Sequence, residues 1–429
     1  MSQQNPRYRW FVVGVFFCFM LLHQVDQLLI GPLTPRIMEE FHINTSQMGW
    51  VDTLALVVAT LFYPIWGYLY DHYARPKLLA LASFIWGATT WMSSIVTTFP
   101  LFRMTRASTG IDNSAYPGLY SLIADYFGPG LRGKIYGVLQ LTSPLGYLLG
   151  MVLALLVAPS LGWSWRTVFI FTGALGIVLS VIIFFGIKEK PRGQAEPELE
   201  DVSFGEGDFK FSLDKIKDVL RLRTMWFIFL QGFAGVFPWN VITYWFFYYL
   251  EKERGYDQNS ILFTMAPVIL ILASGYFIGG AVGDWLFKRT HKGRIIVSVT
   301  GVLMGIVFMS LALNTPIAER NTFFFFMCLT AVFIPLSSVN VLSTIYDITL
   351  PEVRSSAQAV ESFVENIGAA LAPVIAGAIA LHYTMQFSIL WICIIAWSLC
   401  FIFYLGALFT IDKDIESLRH QMADRAKSM

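Results

Sequence analysis

Gly67-Tyr-Leu-Tyr-Asp71-His-Tyr-Ala-Arg75-Pro-Lys77 is a short polar step between two long apolar blocks. It recurs 213 residues on as Gly280-Ala-Val-Gly-Asp284, followed by Arg289 and Lys292. A second set, Asp125, Pro129, Arg132 and Gly146, returns at an offset of 222 as Asp347, Pro351, Arg354 and Gly368. The longer polar stretch from Asn314 to Asn321, compared with its counterpart before the fourth apolar block, absorbs the difference between the two offsets. Two copies of one unit therefore follow each other in the same orientation, a form of internal repeat found in transport proteins.

Outward from these steps, the apolar residues fall into blocks close to the roughly 20 residues that carry a helix across ~30 Å of hydrocarbon. The blocks are 10–33, 49–70, 77–99, 100–126, 135–160, 165–187, 225–250, 260–283, 295–313, 322–346, 357–382 and 385–410. They predict an all-α membrane protein of twelve transmembrane helices. Residues 1–187 and 225–410 form two six-helix bundles, 188–224 a central loop and 411–429 a tail. Composition agrees: of 429 residues only 14% are charged while 56% are hydrophobic, and the net charge is +1. Soluble domains carry about 25% charged residues, so an ordinary cytosolic enzyme is excluded. A nucleic-acid binder is excluded too, for want of a basic excess.

The first block is too long for a signal peptide's apolar core and no small-residue cleavage pattern follows it, so it reads as a mature helix. Cys18, Cys328, Cys393 and Cys400 lie inside apolar blocks without metal-like spacing or a disulfide framework. Of the 30 Lys and Arg, 23 fall on the side that carries both termini. The excess of basic loop residues marks the cytoplasmic side, so both termini are expected in the cytoplasm and the protein in the plasma (inner) membrane.

The Gly67–Lys77 step, Arg106-x-x-x-Gly110 in the fourth block and Gly162-Trp-Ser-Trp165-Arg166 before the sixth together resemble the signatures of the major facilitator superfamily. Within it, Val25-Asp26-Gln27 with Pro35, Leu122-Ile-Ala-Asp125-Tyr-Phe and Glu189-Lys-Pro-Arg-Gly193 are most similar to the Spinster-like lysolipid transporters, with organic-anion symporters as runner-up. The resemblance implies the major facilitator fold: two pseudo-symmetric bundles, alternating access and a ligand site at the midplane. The sequence departs from these groups at two points. Gln27 stands where both have Arg, and Asn113 stands where a Glu is expected seven residues after Arg106.

Charges at membrane depth are expensive and mark function by default. Asp26, nine residues before Pro35, and Arg106, six after Pro100, sit roughly 9–14 Å inside the outer boundary at ~1.5 Å per residue. They are placed to pair, and a substrate competing for Arg106 would free Asp26 for a proton; the alternative is a static ion pair. His23 shares the Asp26 face and either orients that carboxylate, relays a proton or simply packs. Asn113 shares the Arg106 face, while Asp112 lies about 100° away, either replacing the missing Glu or facing span 1 or span 2.

By the repeat, Asp26 maps to Trp239, Arg106 to Cys328 and Asn113 to Pro335. The second half is thus expected to offer a neutral, aromatic counterpart around Phe237-Pro-Trp239-Asn240, with Thr243 and Tyr244, where Pro238 breaks span 7. This suits an amphipathic, anionic solute, although aromatics also fill lipid-facing helices. Glu361 and Glu365, one turn apart on span 11, read as an inner gate, a second protonation site or a solvated vestibule.

The repeated loops have a mechanical reading. Gly67 opens the first, Asp71 is placed to cap span 11, and Arg75 to pair with Asp125. Arg132 and Arg354 are repeat mates. Asp284 would cap span 5, and Arg289 or Arg294 would pair with Asp347. In the central loop, Leu213, Ile216, Val219 and Leu220 have the spacing of an amphipathic helix on the inner leaflet. No P-loop or metal cluster appears, so ATP-driven pumping is unsupported.

The expected function is proton-coupled secondary transport of an amphipathic, lysolipid-like anion by a monomer in contact with membrane lipids, with no cofactor, metal or nucleic acid and no enzyme activity. The alternatives are a small organic-anion symporter, a multidrug exporter, and a receptor or scaffold on a transporter fold.

Overall fold

The computed structural model describes residues 6–113, 115–127, 135, 138–190, 220–349 and 354–428. Residues 211–219 of the expected amphipathic helix and Arg132 lie outside these residues, as do the side chains of Asp71, Asn113 and Arg354 and the surroundings of Gly67. The regular elements among the described residues are helices, and the chain divides into two compact units, Met1–Asp208 and Phe209–Met429.

In the first unit, span 1 is Pro6–Phe41, span 2 Thr45–His72, span 3 Arg75–Ile95 and span 6 Trp165–Gly186. Span 5 runs over Val138–Ser160 and holds a π-helical turn at Leu153–Val157. Local chemistry sets the starts. Asn44 makes a capping box with Gln47, Ser164 caps span 6 through the Thr167 amide, and Pro76 sits in the first turn of span 3. Spans 3 and 6 pack backbone to backbone: a Cβ on Gly87 would lie 2.7 Å from the Gly173 carbonyl oxygen.

The second unit comprises span 7 (Arg223–Tyr248, extended by a π-helical turn Tyr249–Glu253), span 8 (Gln258–Phe287) and span 9 (Gly293–Asn314). Span 10 is Arg320–Phe333 continued by Pro335–Ile348; span 11 is Arg354–Ile379 and span 12 is Met385–Ser428. Span 7 does not break at Pro238, contrary to expectation: the helix runs through it. A proline deprives an interior helix of only one hydrogen bond, and here packing from spans 11 and 12 keeps the rod intact. The tail likewise is no loose appendage, because span 12 stays helical to Ser428. Asp414 accepts from the Thr224 amide at 2.9 Å, and Asp412 pairs with Lys292 at 3.2 Å.

Eleven helices among the described residues are long and apolar enough to cross a membrane. The twelfth stretch, span 4, is not the single helix expected over 100–126 but three pieces, Phe99–Ser108, Gly110–Asn113 and Tyr116–Tyr126. Gly110 lies so close to span 2 that a Cβ there would sit 2.0 Å from the Ala55 carbonyl oxygen. The carbonyls near the interruptions find side-chain donors on span 2. Trp66 Nε1 donates to Ile111 O at 2.5 Å and the Tyr70 hydroxyl to Ala115 O at 2.8 Å. Irregular backbone at membrane depth requires such buried partners.

Candidate functional site

Span 1 and the broken span 4 bring Asp26, Arg106 and Asp112 into the interior of the first unit. Asp26 on span 1 is 1% exposed and accepts two hydroxyl hydrogen bonds, from Thr90 to Oδ2 at 2.9 Å and from Thr172 to Oδ1 at 2.8 Å. Arg106, 6% exposed in the last turn before the first interruption, brings Nη1 to 3.5 Å from Asp26 Oδ2. Its guanidinium lies over the Phe169 ring at 5.1 Å, and Nη1 has no hydrogen-bond partner. A buried charge is tolerated when donors and a counter-charge replace its water. Asp26 has both; Arg106 has the counter-charge but keeps unused donor capacity.

His23 does not orient Asp26. Its Nε2 lies 2.6 Å from Asp112 Oδ2, its Nδ1 is hydrogen-bonded to the Tyr116 hydroxyl, and its ring meets Trp86 edge-on at 5.4 Å. The interruption at Thr109 turns Asp112 toward span 1. Both His23 and Asp112 are 2% exposed, and Asp112 Oδ1 is buried without a hydrogen-bond partner among the described residues. Gln27, on the same turn of span 1 as Asp26, is half-buried.

The second unit holds a cavity of about 410 Å³ walled by Trp239, Tyr276, Trp397 and Tyr404, and both Glu361 and Glu365 open into it. The expectation of a neutral counterpart is therefore corrected, because span 11 brings two carboxyl groups to the same space as Trp239, and among the described residues no basic one lines it. The two carboxyl groups are hydrogen-bonded to each other. Beside them, the Tyr404 hydroxyl donates to Gln231 Oε1 at 2.6 Å and lies 2.6 Å from Ser337 Oγ. Asn240 turns back to its own helix, donating to Val236 O at 2.9 Å, and Tyr244 is buried edge-on against Trp245.

The loop residues form clamps within each unit. Arg75, 3% exposed, donates from Nη1 to Asp125 at 2.6 Å and to Ser121 Oγ at 3.2 Å. Its Nε and Nη2 hold Glu189 at 2.8 and 2.6 Å. Arg294 repeats the arrangement, with Nη1 on Asp347 and on Ser343 O, and Nη2 on Asp284 Oδ1 at 2.8 Å. Asp284 is thus held by Arg294, and Arg294, not Arg289, reaches Asp347.

Opposite ends of the bundles are also tied. Glu40 accepts from Trp165 Nε1 and from Arg166, whose Nη1 donates to the carbonyls of Ser94 and Val96. Glu253 accepts from the amides of Met385 and Gln386, while Arg254 donates to the carbonyls of Thr315 and Pro316.

Residues 15–319 match the Major Facilitator Superfamily. The chain belongs to that superfamily. Among curated superfamily relatives, the probable sulfoacetate transporter SauU of Cupriavidus necator is 26% identical over 347 residues, covering 77% of this chain and 80% of that protein. The sphingosine-1-phosphate transporter SPNS2 of Xenopus tropicalis is 23% identical over 403 residues, covering 88% and 76%. Among solved structures, a bacterial homolog of the human lysosomal transporter Spinster, inward-facing and unoccupied, aligns with a TM-score of 0.82 at 18% identity, covering 96% of this chain and 99% of that one. This superfamily member is most like the Spinster group, as its span 1 and loop motifs suggested.

Sequence reasoning missed Tyr116, Thr90, Thr172, Gln231 and Tyr404, which are neutral and carry no signal of their own. Glu189 was legible, as the first acid after span 6. Glu40 and Glu253 were missed too, although their spacing of 213 residues, the offset of the repeated loops, was a signal that could have found them.

Proposed function

We propose that the chain is a proton-coupled secondary active transporter that moves an amphipathic, anionic, lysolipid-like solute by alternating access. It is expected to act as a monomer in the plasma (inner) membrane with both termini in the cytoplasm, in keeping with the basic residues of its loops. One observation carries the reading: Arg106, almost fully buried, comes no nearer to Asp26 than 3.5 Å and leaves Nη1 without a hydrogen bond among the described residues. A phosphate, sulfonate or carboxylate would satisfy those donors bidentately. The likeness to a sphingosine-1-phosphate transporter supports the amphipathic substrate. A second reading, a small organic-anion symporter, is favoured by the likeness to the sulfoacetate transporter.

Thermal-shift titration of the purified protein with sphingosine-1-phosphate, sulfoacetate and an uncharged monoacylglycerol separates these readings. Charged hydrogen bonds are worth about 1.5–3 kcal/mol, so Arg106→Ala should weaken the anionic probe that binds by about ten-fold or more while monoacylglycerol binding stays within about two-fold. Equal losses for charged and uncharged probes would make Arg106 structural. No shift with any probe, and no flux of sphingosine-1-phosphate or sulfoacetate into proteoliposomes, would leave a scaffold.

A further inference from the structure

Two acids of the first unit's interior, Asp26 and Asp112, stand in different settings. Asp26 uses both oxygens on hydroxyl donors and faces Arg106. Asp112 is hydrogen-bonded to His23, and among the described residues its other oxygen has no partner in the interior. His23 is bonded on its far nitrogen to Tyr116, the least enclosed of the three. An orphaned buried carboxylate oxygen is a costly feature, and binding a proton removes the cost.

We propose that Asp112, His23 and Tyr116 form the proton-carrying element of the transporter, separate from the Asp26–Arg106 pair, which stays ionised and serves the substrate. This rests on the transport reading above and assigns its coupling ion to a site. In the empty state the neutral imidazole donates Nε2–H to the Asp112 carboxylate and accepts the Tyr116 hydroxyl proton at Nδ1. On uptake, the Tyr116 hydroxyl passes its proton to Nδ1 and takes one from the open side, while the Nε2 proton moves to Asp112. One proton has entered, Tyr116 is restored, His23 is again neutral with its hydrogen on Nδ1, and Asp112 is a carboxylic acid. Histidine suits such a step because both nitrogens exchange protons near neutral pH.

The charged and titratable surroundings are few. Span 1 adds Asp26, and span 2 adds Asp52, which interacts with Arg106, together with Tyr63 near Tyr116. Span 4 adds Arg106 and Tyr120, and span 5 carries the buried Tyr147. Spans 3 and 6 contribute the hydroxyls of Thr90 and Thr172, both committed to Asp26, with Trp86 against the His23 ring. Gln24 also hydrogen-bonds Tyr116.

Infrared difference spectroscopy of the purified protein between neutral and acid pH reads the carboxylic acid C=O band directly, without a substrate. Wild type should gain a buried-acid band that Asp112→Asn abolishes and Asp26→Asn retains. A band that survives in Asp112→Asn, that disappears in Asp26→Asn, or that wild type lacks overturns the assignment. Tyr116→Phe removes only a hydroxyl and guards against misfolding of the other variants: it must shift the midpoint of the band's titration, and an unmoved midpoint overturns the relay. In proteoliposomes, Asp112→Asn should cut pH-gradient-driven uptake of sphingosine-1-phosphate or sulfoacetate by about ten-fold or more while exchange at equal pH persists, since a positioned proton carrier contributes about that much or more. Gradient-driven uptake at the wild-type level would refute it. A protein that transports neither probe fails the transport reading, and the infrared result still decides the proton site.

Discussion

The two units repeat each other in their loops and diverge in their interiors. At one end of each bundle an arginine bridges two acids, Arg75 between Asp125 and Glu189, and Arg294 between Asp347 and Asp284. Inside, the first unit balances Asp26 against Arg106, while the second gathers Glu361 and Glu365 in a cavity that no basic residue lines among those described. Duplication kept the scaffold that holds each bundle together. The interiors were free to acquire opposite electrostatic characters, an ion pair in one and a carboxyl pair in the other.

The clamps allow the largest test of that shared scaffold. Arg75 is 3% exposed with both acids within 2.8 Å, and although Glu189 is partly open to solvent, Arg75→Ala strands the enclosed Asp125 carboxylate and should cost about 3 kcal/mol. Arg294 is 15% exposed and Asp284 is open to solvent, so Arg294→Ala should cost about 1–2 kcal/mol. Thermal unfolding of the two variants in detergent measures the gap. Equal losses would mean that the clamps carry equal weight despite their different burial.

Much of this scaffold was legible before any coordinates. Apolar block lengths located the spans, and the offset of 222 located Asp125 and Asp347; Arg75 was placed on Asp125, while Arg289 and Arg294 stayed alternatives for Asp347 until the structure put Arg294 there. What could not be read depends on backbone geometry. Span 4 looks like one apolar run, and nothing in its composition shows that Gly110 meets Ala55 or that Trp66 and Tyr70 satisfy carbonyls near the interruptions. Helical spacing left Asp112 free to face span 1 or span 2, and the short piece between the interruptions decides for His23 on span 1. Pro238 misled in the opposite sense, since proline marks where a helix is free to break, and packing decides whether it does.

The interiors give a test with opposite signs. Asp26→Asn leaves Arg106 buried beside a neutral amide and should lower stability by about 2–4 kcal/mol. Glu365→Gln removes one of two like groups that no described cavity residue offsets with a positive charge, and should leave stability unchanged or raise it by about 1 kcal/mol. Thermal unfolding at neutral pH reads both. A loss at Glu365 as large as that at Asp26 would mean that the second interior holds a counter-charge as the first does.

The smallest contrast lies at the helix starts. Asn44 caps span 2 and Asp257, its mate at the offset of 213, caps span 8. Asn44 accepts from the Gln47 amide, and Asp257 accepts from the Ser260 amide. Only the second cap is ionisable. Hydrogen bonds from Ser260, its hydroxyl first, hold the Asp257 carboxyl below the usual carboxylate range. A group whose pKa is lowered on folding contributes stability above its unfolded value and loses it as pH falls through its folded value. Asp257→Asn should therefore lower the unfolding temperature slightly at neutral pH and make no difference once the medium is acid enough to protonate the native carboxyl. Asn44→Ala should give a deficit from cap loss that does not vary across the same range. A Asp257→Asn deficit that persists in acid would show that the cap acts through hydrogen bonding alone, and that charge adds nothing to the start of span 8.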